Sequence, residues 1–399
     1  MRVKDFAIDE IFDSRGNSTI EAGIAVGNGF AFYASVPAGK SRGSREAAVV
    51  SFAEASSAKN LKRLAVLKGK DFPNQRSFDE FLIKLDGTED KRMIGGNVML
   101  GLSMAFARAL SASRKMELWE SLQKEFFGKT ARKAWKPVIF SNLINGGEHA
   151  RNDLDIQEYM VLVETQGDVK RAVKKLISFY RDLGEKLGAM KRVSNIPIGD
   201  EGGYSLDFKN NFEPLAVLSD LVRKKGLSGT FRLGMDAAAN GFFSGGAYSF
   251  GGKKVTAPKL AGIYEGYCKK APALYSIEDP FSERDTAGFA LLSKKLEGRM
   301  VVGDDLTVTN RRLIEECAEK GLIGGVIVKP NQAGTVTEAI EAVQGAHERG
   351  IRTIVSHRSG ETDDAFIIHL AKAAGASGVK IGAPARERIF KFNELVRIA

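Results

Sequence analysis

Gly325-Val326-Ile327-Val328-Lys329, four uncharged residues closed by one cation, is the unit on which the fold turns. Comparable apolar runs stand at 138–143, 158–163, 231–235, 274–277, 300–302, 352–355 and 378–381, separated by stretches of helical periodicity. Eight such runs predict a β/α barrel with one strand per run. At or near the C-terminal ends of six runs comes a polar residue: Asp236, Glu278, Asp304, Lys329, His357 and Lys380. Their intervals of 42, 26, 25, 28 and 23 residues fit strand-loop-helix-loop units with one insertion. C-terminal strand ends converge on one face of a barrel, so these distant residues are expected to share one mouth.

Upstream the pattern changes. Rough period-two alternation at 3–12 and 18–26, about the turn Asp13-Ser14-Arg15-Gly16-Asn17, predicts an antiparallel meander. A Gly-rich loop follows at 37–43, and helical periodicity over 46–67 and 97–127 completes an α+β unit. The predicted organisation is α/β overall: an N-terminal α+β domain at 1–130, then a β/α barrel at 137–399 that carries the active site. The cation-dense stretch 129–136, closed by Pro137, is the expected junction.

Bulk properties narrow the function classes. Cys268 and Cys317 are the only cysteines, far apart and without metal-ligand spacing, which argues against a disulfide framework and a zinc site and points to a reducing cytoplasm. No apolar run approaches the roughly 18 residues of a membrane span, and residues 1–10 show no signal core, so neither membrane insertion nor secretion is expected. The net charge of +10 is spread through amphipathic stretches such as 168–191 and is not interleaved with aromatics. It reads as a solvated basic surface, and no nucleic-acid partner is expected.

Asp236, Glu278 and Asp304 would place three carboxylates side by side, an arrangement that calls for a hard divalent cation such as Mg²⁺. Each alone could be a helix cap or half of a local ion pair; three in register point to metal. Asp279 and Asp305 offer the same chemistry one residue on, and spacing does not choose between neighbours. Lys329 is expected to be desolvated and close to a second cation, Lys380 or the metal, both lowering its pKa and fitting it to remove a proton beside a carboxylate. Ser356-His357-Arg358-Ser359-Gly360 gathers donors suited to a phosphate. His149, in a Gly-rich loop, and Gln157, Glu158 and Glu201 are further polar candidates whose partnership the spacing leaves open.

Taken together, these segments resemble the enolases over essentially the whole chain. The resemblance runs through 12–17, Gly146-Gly147-Glu148-His149-Ala150, Gln157-Glu158, 199–203, Gly234-Met235-Asp236, 276–281 and 303–310. It is closest in Lys329-Pro330-Asn331-Gln332-Ala333-Gly334-Thr335, Ser356-His357-Arg358-Ser359-Gly360-Glu361-Thr362 and 380–386. It implies an enolase-type TIM-like barrel and Mg²⁺-dependent, reversible dehydration of 2-phosphoglycerate to phosphoenolpyruvate, a step of glycolysis and gluconeogenesis. Asp236, Glu278 and Asp304 would hold one Mg²⁺, and Ser41 would help bind a second as its loop closes over substrate. Lys329 would take the proton, and Glu201 with Glu158 would promote loss of the hydroxyl. Arg358 and Ser359 would hold the phosphate, with His149, Gln157, His357 and Lys380 lining the substrate. Enolases are commonly dimers or octamers, so a homo-oligomer is expected.

Some positions depart from the family pattern. Lys40 and Arg42 flank Ser41 where small or neutral residues are usual, Arg151 stands where glycine is common, Ala237-Ala238-Ala239 lacks the usual Ser-Glu pair, and Pro384-Ala385-Arg386-Glu387-Arg388 is shorter than usual. Two rival readings remain at this stage: a related enzyme acting on another carboxylate substrate, and a non-catalytic enolase-like scaffold.

Overall fold

The computed structural model describes residues 1–27, 29–40, 43–128 and 135–399. Strands β1 (Val3–Phe12), β2 (Ser18–Val26) and β3 (Phe30–Ser35) form the expected antiparallel meander. The turn between β1 and β2 is fixed by Asp13, whose Oδ1 accepts from the amides of Arg15 (2.8 Å) and Asn17 (3.0 Å), while Gly16 takes the left-handed conformation the turn needs (φ 79°).

Helix Gly96–Ser113 lies across this sheet and is buried on nearly every side. A Cβ added at Gly101 would stand 2.7 Å from that of Ala22, so glycine sets how closely helix and sheet approach. The helical pattern over 46–67 is broken in the fold into Phe52–Ala55 and Ala58–Leu64, because Ser51 and Ser57 each cap a new start by accepting from Glu54 N and Asn60 N. The 97–127 pattern likewise splits into two helices at Lys115 (φ 52°), with Leu118–Phe127 as the second.

Eight strands close the barrel: β4 (Val138–Asn145), β5 (Glu158–Glu164), β6 (Phe231–Asp236), β10 (Leu274–Glu278), β11 (Met300–Gly303), β12 (Gly325–Val328), β13 (Arg352–Ser356) and β14 (Gly378–Ile381). All eight predicted runs are strands. The long interval before Glu278 holds a small extra sheet, β7 (Phe243–Ser244), β8 (Ala247–Phe250) and β9 (Lys253–Val255).

The barrel departs from a uniform repeat in one respect. β5 runs antiparallel to both β4 and β6, and the other pairs are parallel. The link from β4 to β5 carries only the one-turn helix Gly147–His149, too little for the helical crossover a parallel pair requires. The reversal brings the start of β5, not its end, to the mouth, with Glu158 directly opposite Asp236.

Side-chain alternation then divides barrel interior from exterior. Phe140, Met160, Leu162, Met300, Val302, Ile327 and Ile354 pack together as the inner core. Two residues further toward the mouth along the same strands come Asn142, Glu158, Asp304, Lys329 and Ser356. Gly378 backs onto Phe140, where a Cβ would stand 2.8 Å from the ring, and the same parity turns Lys380 inward from within β14. The hydrophobic layer is the floor beneath the polar one.

A buried carboxylate joins the helices around the meander to the barrel. Asp79 accepts from Gln75 Nε2 (3.0 Å) and Ser103 Oγ (2.6 Å) on one side. On the other it accepts from Thr337 N (2.9 Å) and Oγ1 (2.6 Å), in the first turn of barrel helix Val336–Glu348. Burial raises its pKa to about 6, against the downward pull of these bonds. Asp79→Ala is expected to destabilise the protein by about 3 kcal/mol by stranding buried donors. Because the folded pKa lies above the unfolded one, the group's protonation stabilises most below about pH 4, and that contribution is lost as pH rises through about 6. Urea unfolding of wild type and variant at pH 4.5 and pH 7 should show the larger difference at the lower pH.

Candidate active site

At the mouth, β6, β10 and β11 present Asp236, Glu278 and Asp304. Glu278 pairs in register with Asp236 and with Val302, and Asp304 follows Val302 by two residues on the same inward parity. That parity sets Glu278 and Asp304 on the inward face of their strands, while Asp279 and Asp305 also border the cavity. Asp279 accepts the amides of Asp304 (2.9 Å) and Asp305 (2.7 Å) and so shapes the turn at the site. Oxygens of Asp279, Asp304 and Asp305 all lie within 4.8 Å of one another and could hold a metal ion.

The three carboxylates do not converge on one point. Lys380, almost wholly buried, stands among Glu278 (2.7 and 2.8 Å), Asp236 (3.1 Å) and Glu158 (3.1 Å). Asp304 is paired with Lys329 and also accepts from Gln332 Nε2 (3.0 Å). Burial, and then the charge of Asp236, pushes the Glu278 pKa well up. Burial works against the charge on Lys380, but the surrounding carboxylates, Glu158 first, raise its pKa well above the usual value.

Lys329 corrects an expectation. Burial favours its neutral form, as do Arg358 and Lys380, yet contact with Asp304 outweighs these and its pKa is raised. The sequence placed desolvation and a second cation at this lysine but not the carboxylate in contact with it.

Across the barrel, Glu201 accepts from Asn142 Nδ2 (3.0 Å) and faces His357 Nε2 (3.5 Å) and His149 Nδ1 (3.6 Å). His149 also lies 3.8 Å from Glu158. Ligand atoms of His149, Glu158 and Glu201 all lie within 4.8 Å of one another, so the two carboxyl groups form an acid pair. Burial and then the charge of Glu201 drive the Glu158 pKa well up. Burial acts upward on Glu201 too, but His357 and His149 bring it down overall. Burial pushes His357 down to about 4 and lowers His149. Glu158 is thus the more readily protonated of the two and Glu201 the more readily ionised.

Arg358 and Ser359 are buried on the loop after β13. Arg358 Nη1 reaches Glu46 (3.1 Å) and Asn331 (3.4 Å), and Ser359 Oγ accepts from Lys40 N (2.9 Å). The 37–40 segment is stitched over them by reciprocal Ala38–Gly360 amide bonds (2.8 and 2.9 Å). A Cβ at Gly39 would stand 1.7 Å from the Arg358 guanidinium, so only glycine lets the backbone lie there. Lys40 extends across the mouth to the Glu148 carbonyl and to Asp200 (3.2 Å). Ser41 and Arg42 lie outside the described residues.

These groups, with Gln157, enclose a cavity of about 30 Å³, room for a water or two, which adjoins a vestibule of about 490 Å³ lined by Glu148, Asp155, Asn240 and Phe242. A small organic substrate therefore needs the mouth side chains to yield. Left-handed, non-glycine residues ring the site at Ala238, Asp279, Val308 and Thr309, and such backbone strain is a mark of functional loops. The sequence reading missed Asn142, Glu46 and Gln332, neutral or acidic residues in ordinary contexts with no local signal.

The donor set fits a hard divalent cation: oxygen-only, buried, on three adjacent strands at one level, with charge now balanced by Lys380 and Lys329. Fold and site together define a β/α-barrel protein of the enzyme type, with a lysine on one side of its mouth, carboxyl groups on the other and acidic clusters that could bind a metal ion. Residues 133–399 match the family described as enolase, C-terminal TIM barrel domain, and residues 3–122 match enolase, N-terminal domain. An enolase of Aeropyrum pernix is 39% identical over 417 aligned positions, covering 100% of this chain and 95% of that protein. The chain belongs to the enolase family, whose members are in general Mg²⁺-dependent lyases.

Lys380→Met should leave three buried carboxylates without their ammonium. In chelator the expected loss is about 3–5 kcal/mol, shrinking when Mg²⁺ in excess supplies the missing charge. Thermal unfolding under both conditions checks this; equal losses would contradict the proposed cation site.

Proposed function

We propose that this protein interconverts 2-phosphoglycerate and phosphoenolpyruvate, the phosphopyruvate hydratase reaction of glycolysis and gluconeogenesis. One observation carries the reading. Lys329 follows β12 and Glu158 opens β5, and these strands lie diametrically opposite in the closed order β10-β11-β12-β13-β14-β4-β5-β6. A base on one wall and an acid pair on the other suit removal of a proton from one carbon and of a hydroxyl from the next.

In this reading Arg358 and Ser359 bind the phosphate, with Lys380 beside the substrate carboxylate and His149, Gln157 and His357 along the chain of carbons. Asp236, Glu278 and Asp304 hold one Mg²⁺. A second joins with substrate and is assigned to Ser41, outside the described residues. Bound Mg²⁺ supplies positive charge to the carboxylate as the C2 proton departs. When Asp304 serves a metal, Lys329 loses the partner that keeps it protonated and becomes competent to accept that proton. Glu201, assisted by Glu158, supplies the proton with which the C3 hydroxyl leaves as water. The buried Arg358–Ser359 pair supports a phosphorylated substrate over an unphosphorylated acid.

We assign the chain an N-terminal α+β capping domain at 1–130 and a catalytic barrel at 137–399, a cytoplasmic location, and a homodimer or octamer as its assembly. Among the described residues no helix is long and apolar enough to cross a membrane.

Purified protein with Mg²⁺ is expected to form phosphoenolpyruvate from 2-phosphoglycerate and to stop in excess chelator; no turnover by folded, metal-loaded protein would refute the assignment. Lys329→Ala is expected to lose at least about 10³-fold in kcat while still binding substrate and Mg²⁺ by calorimetry. Asp304→Asn should instead weaken Mg²⁺ binding, and unchanged affinity would remove it from the ligand set.

A further inference from the structure

Arg388 is the largest wholly buried side chain, yet none of the roles above uses it. Its Nη2 donates to the carbonyls of Ser359 (2.6 Å), Asp200 (3.2 Å) and Arg358 (3.3 Å). Nη1 donates to Glu387 Oε1 (2.6 Å) and Ser14 Oγ (3.2 Å). Among the described residues Glu387 is its one ion-pair partner and is partly exposed, so most of what satisfies this buried cation is main-chain carbonyl. Burying a guanidinium costs several kcal/mol unless its donors are met, and here Nη1 and Nη2 meet acceptors on separate segments at once, with Nε left without a hydrogen-bond partner among the described residues.

Those segments are the ones that carry the proposed chemistry. Asp200 precedes Glu201, Arg358 and Ser359 are the phosphate ligands next to His357, and Ser14 belongs to the β1–β2 turn. The loop leading to Arg388 grips Glu201 as well: Ala383 N donates to the Glu201 carbonyl (2.9 Å). A Cβ at Gly382 would lie 2.4 Å from that carbonyl and 3.2 Å from Arg388 Cγ. Both ends of the cavity therefore hang on one side chain.

We infer that Arg388 is a positioning residue, a clamp that holds the Glu201 segment and the 357–359 segment in one register so that acid group and phosphate ligands keep their spacing. The consequence for turnover rests on the function proposed above; the clamp itself does not. A lysine keeps the charge but cannot span these carbonyls, and a methionine keeps neither charge nor fork. None of the bonds of Arg388 reaches Asp236, Glu278 or Asp304.

The test uses the full chain as Arg388→Lys and Arg388→Met. Amide hydrogen exchange at Gly202, His357, Gly360 and Glu361 is expected to quicken at least tenfold in both variants, whatever substrate the enzyme uses. Where wild type turns over 2-phosphoglycerate, kcat is expected to fall about 10- to 100-fold, with Mg²⁺ affinity within twofold of wild type. A general loss of structure would lower turnover and metal affinity together, and that result overturns the proposal, as does unchanged exchange. A wild type that exchanges as expected against its variants but has no turnover refutes the function and keeps the clamp. Should neither variant fold, Glu387→Gln, at a partly exposed side chain, loosens the same guanidinium: faster exchange at the four amides supports the clamp, and exchange equal to wild type overturns it.

Discussion

Charge balance inside the barrel mouth is the constraint on which the rest depends. Glu158, Asp236, Glu278 and Asp304 are all buried, and carboxylates at this density destabilise one another unless cations stand between them. Lys380 meets three of the four and Lys329 the other. The same arithmetic bears on the proposed divalent ion: a cation on Asp236, Glu278 and Asp304 would do the electrostatic work of the ammonium groups and would release them. The raised pKa of Lys329 fits this view, because the contact that keeps it protonated is the one a metal would replace.

The reversed strand is the second device. Had β5 run parallel, Glu158 would lie at the far end of the barrel from Asp236. A short β4–β5 link makes the pair antiparallel and places a carboxyl group at the mouth, opposite the lysine wall. It also leaves the 146–157 segment free to carry His149 and Gln157 to the same cavity. A local shortage of chain thereby sets Glu158 and Lys329 on opposite walls of the barrel.

Around this centre the loops are held by main-chain contact. The 37–40 segment lies on Arg358 because Gly39 has no side chain, and Arg388 gathers carbonyls from two segments that border the cavity. Such contacts keep donors aimed where charge develops and limit reorganisation, which is how a polar site in a dry cavity gains its strength.

Period-two apolar runs, regular spacing and turn chemistry made the eight barrel strands, the meander and the inward-facing acidic and basic residues legible in the sequence, because hydrophobic patterning is a local property of the chain. The two long helical patterns were legible too, though serine caps and a left-handed lysine divided them. Partnership was not legible. Nothing in the spacing sets Glu158 beside His149 and Glu201, brings Asp304 onto Lys329 or Glu46 onto Arg358, or closes Arg388 around Asp200. Most of those pairings join residues tens to hundreds of positions apart. They are decided by barrel closure, by one reversed strand and by the balance of buried charge, which exist only once the chain has folded.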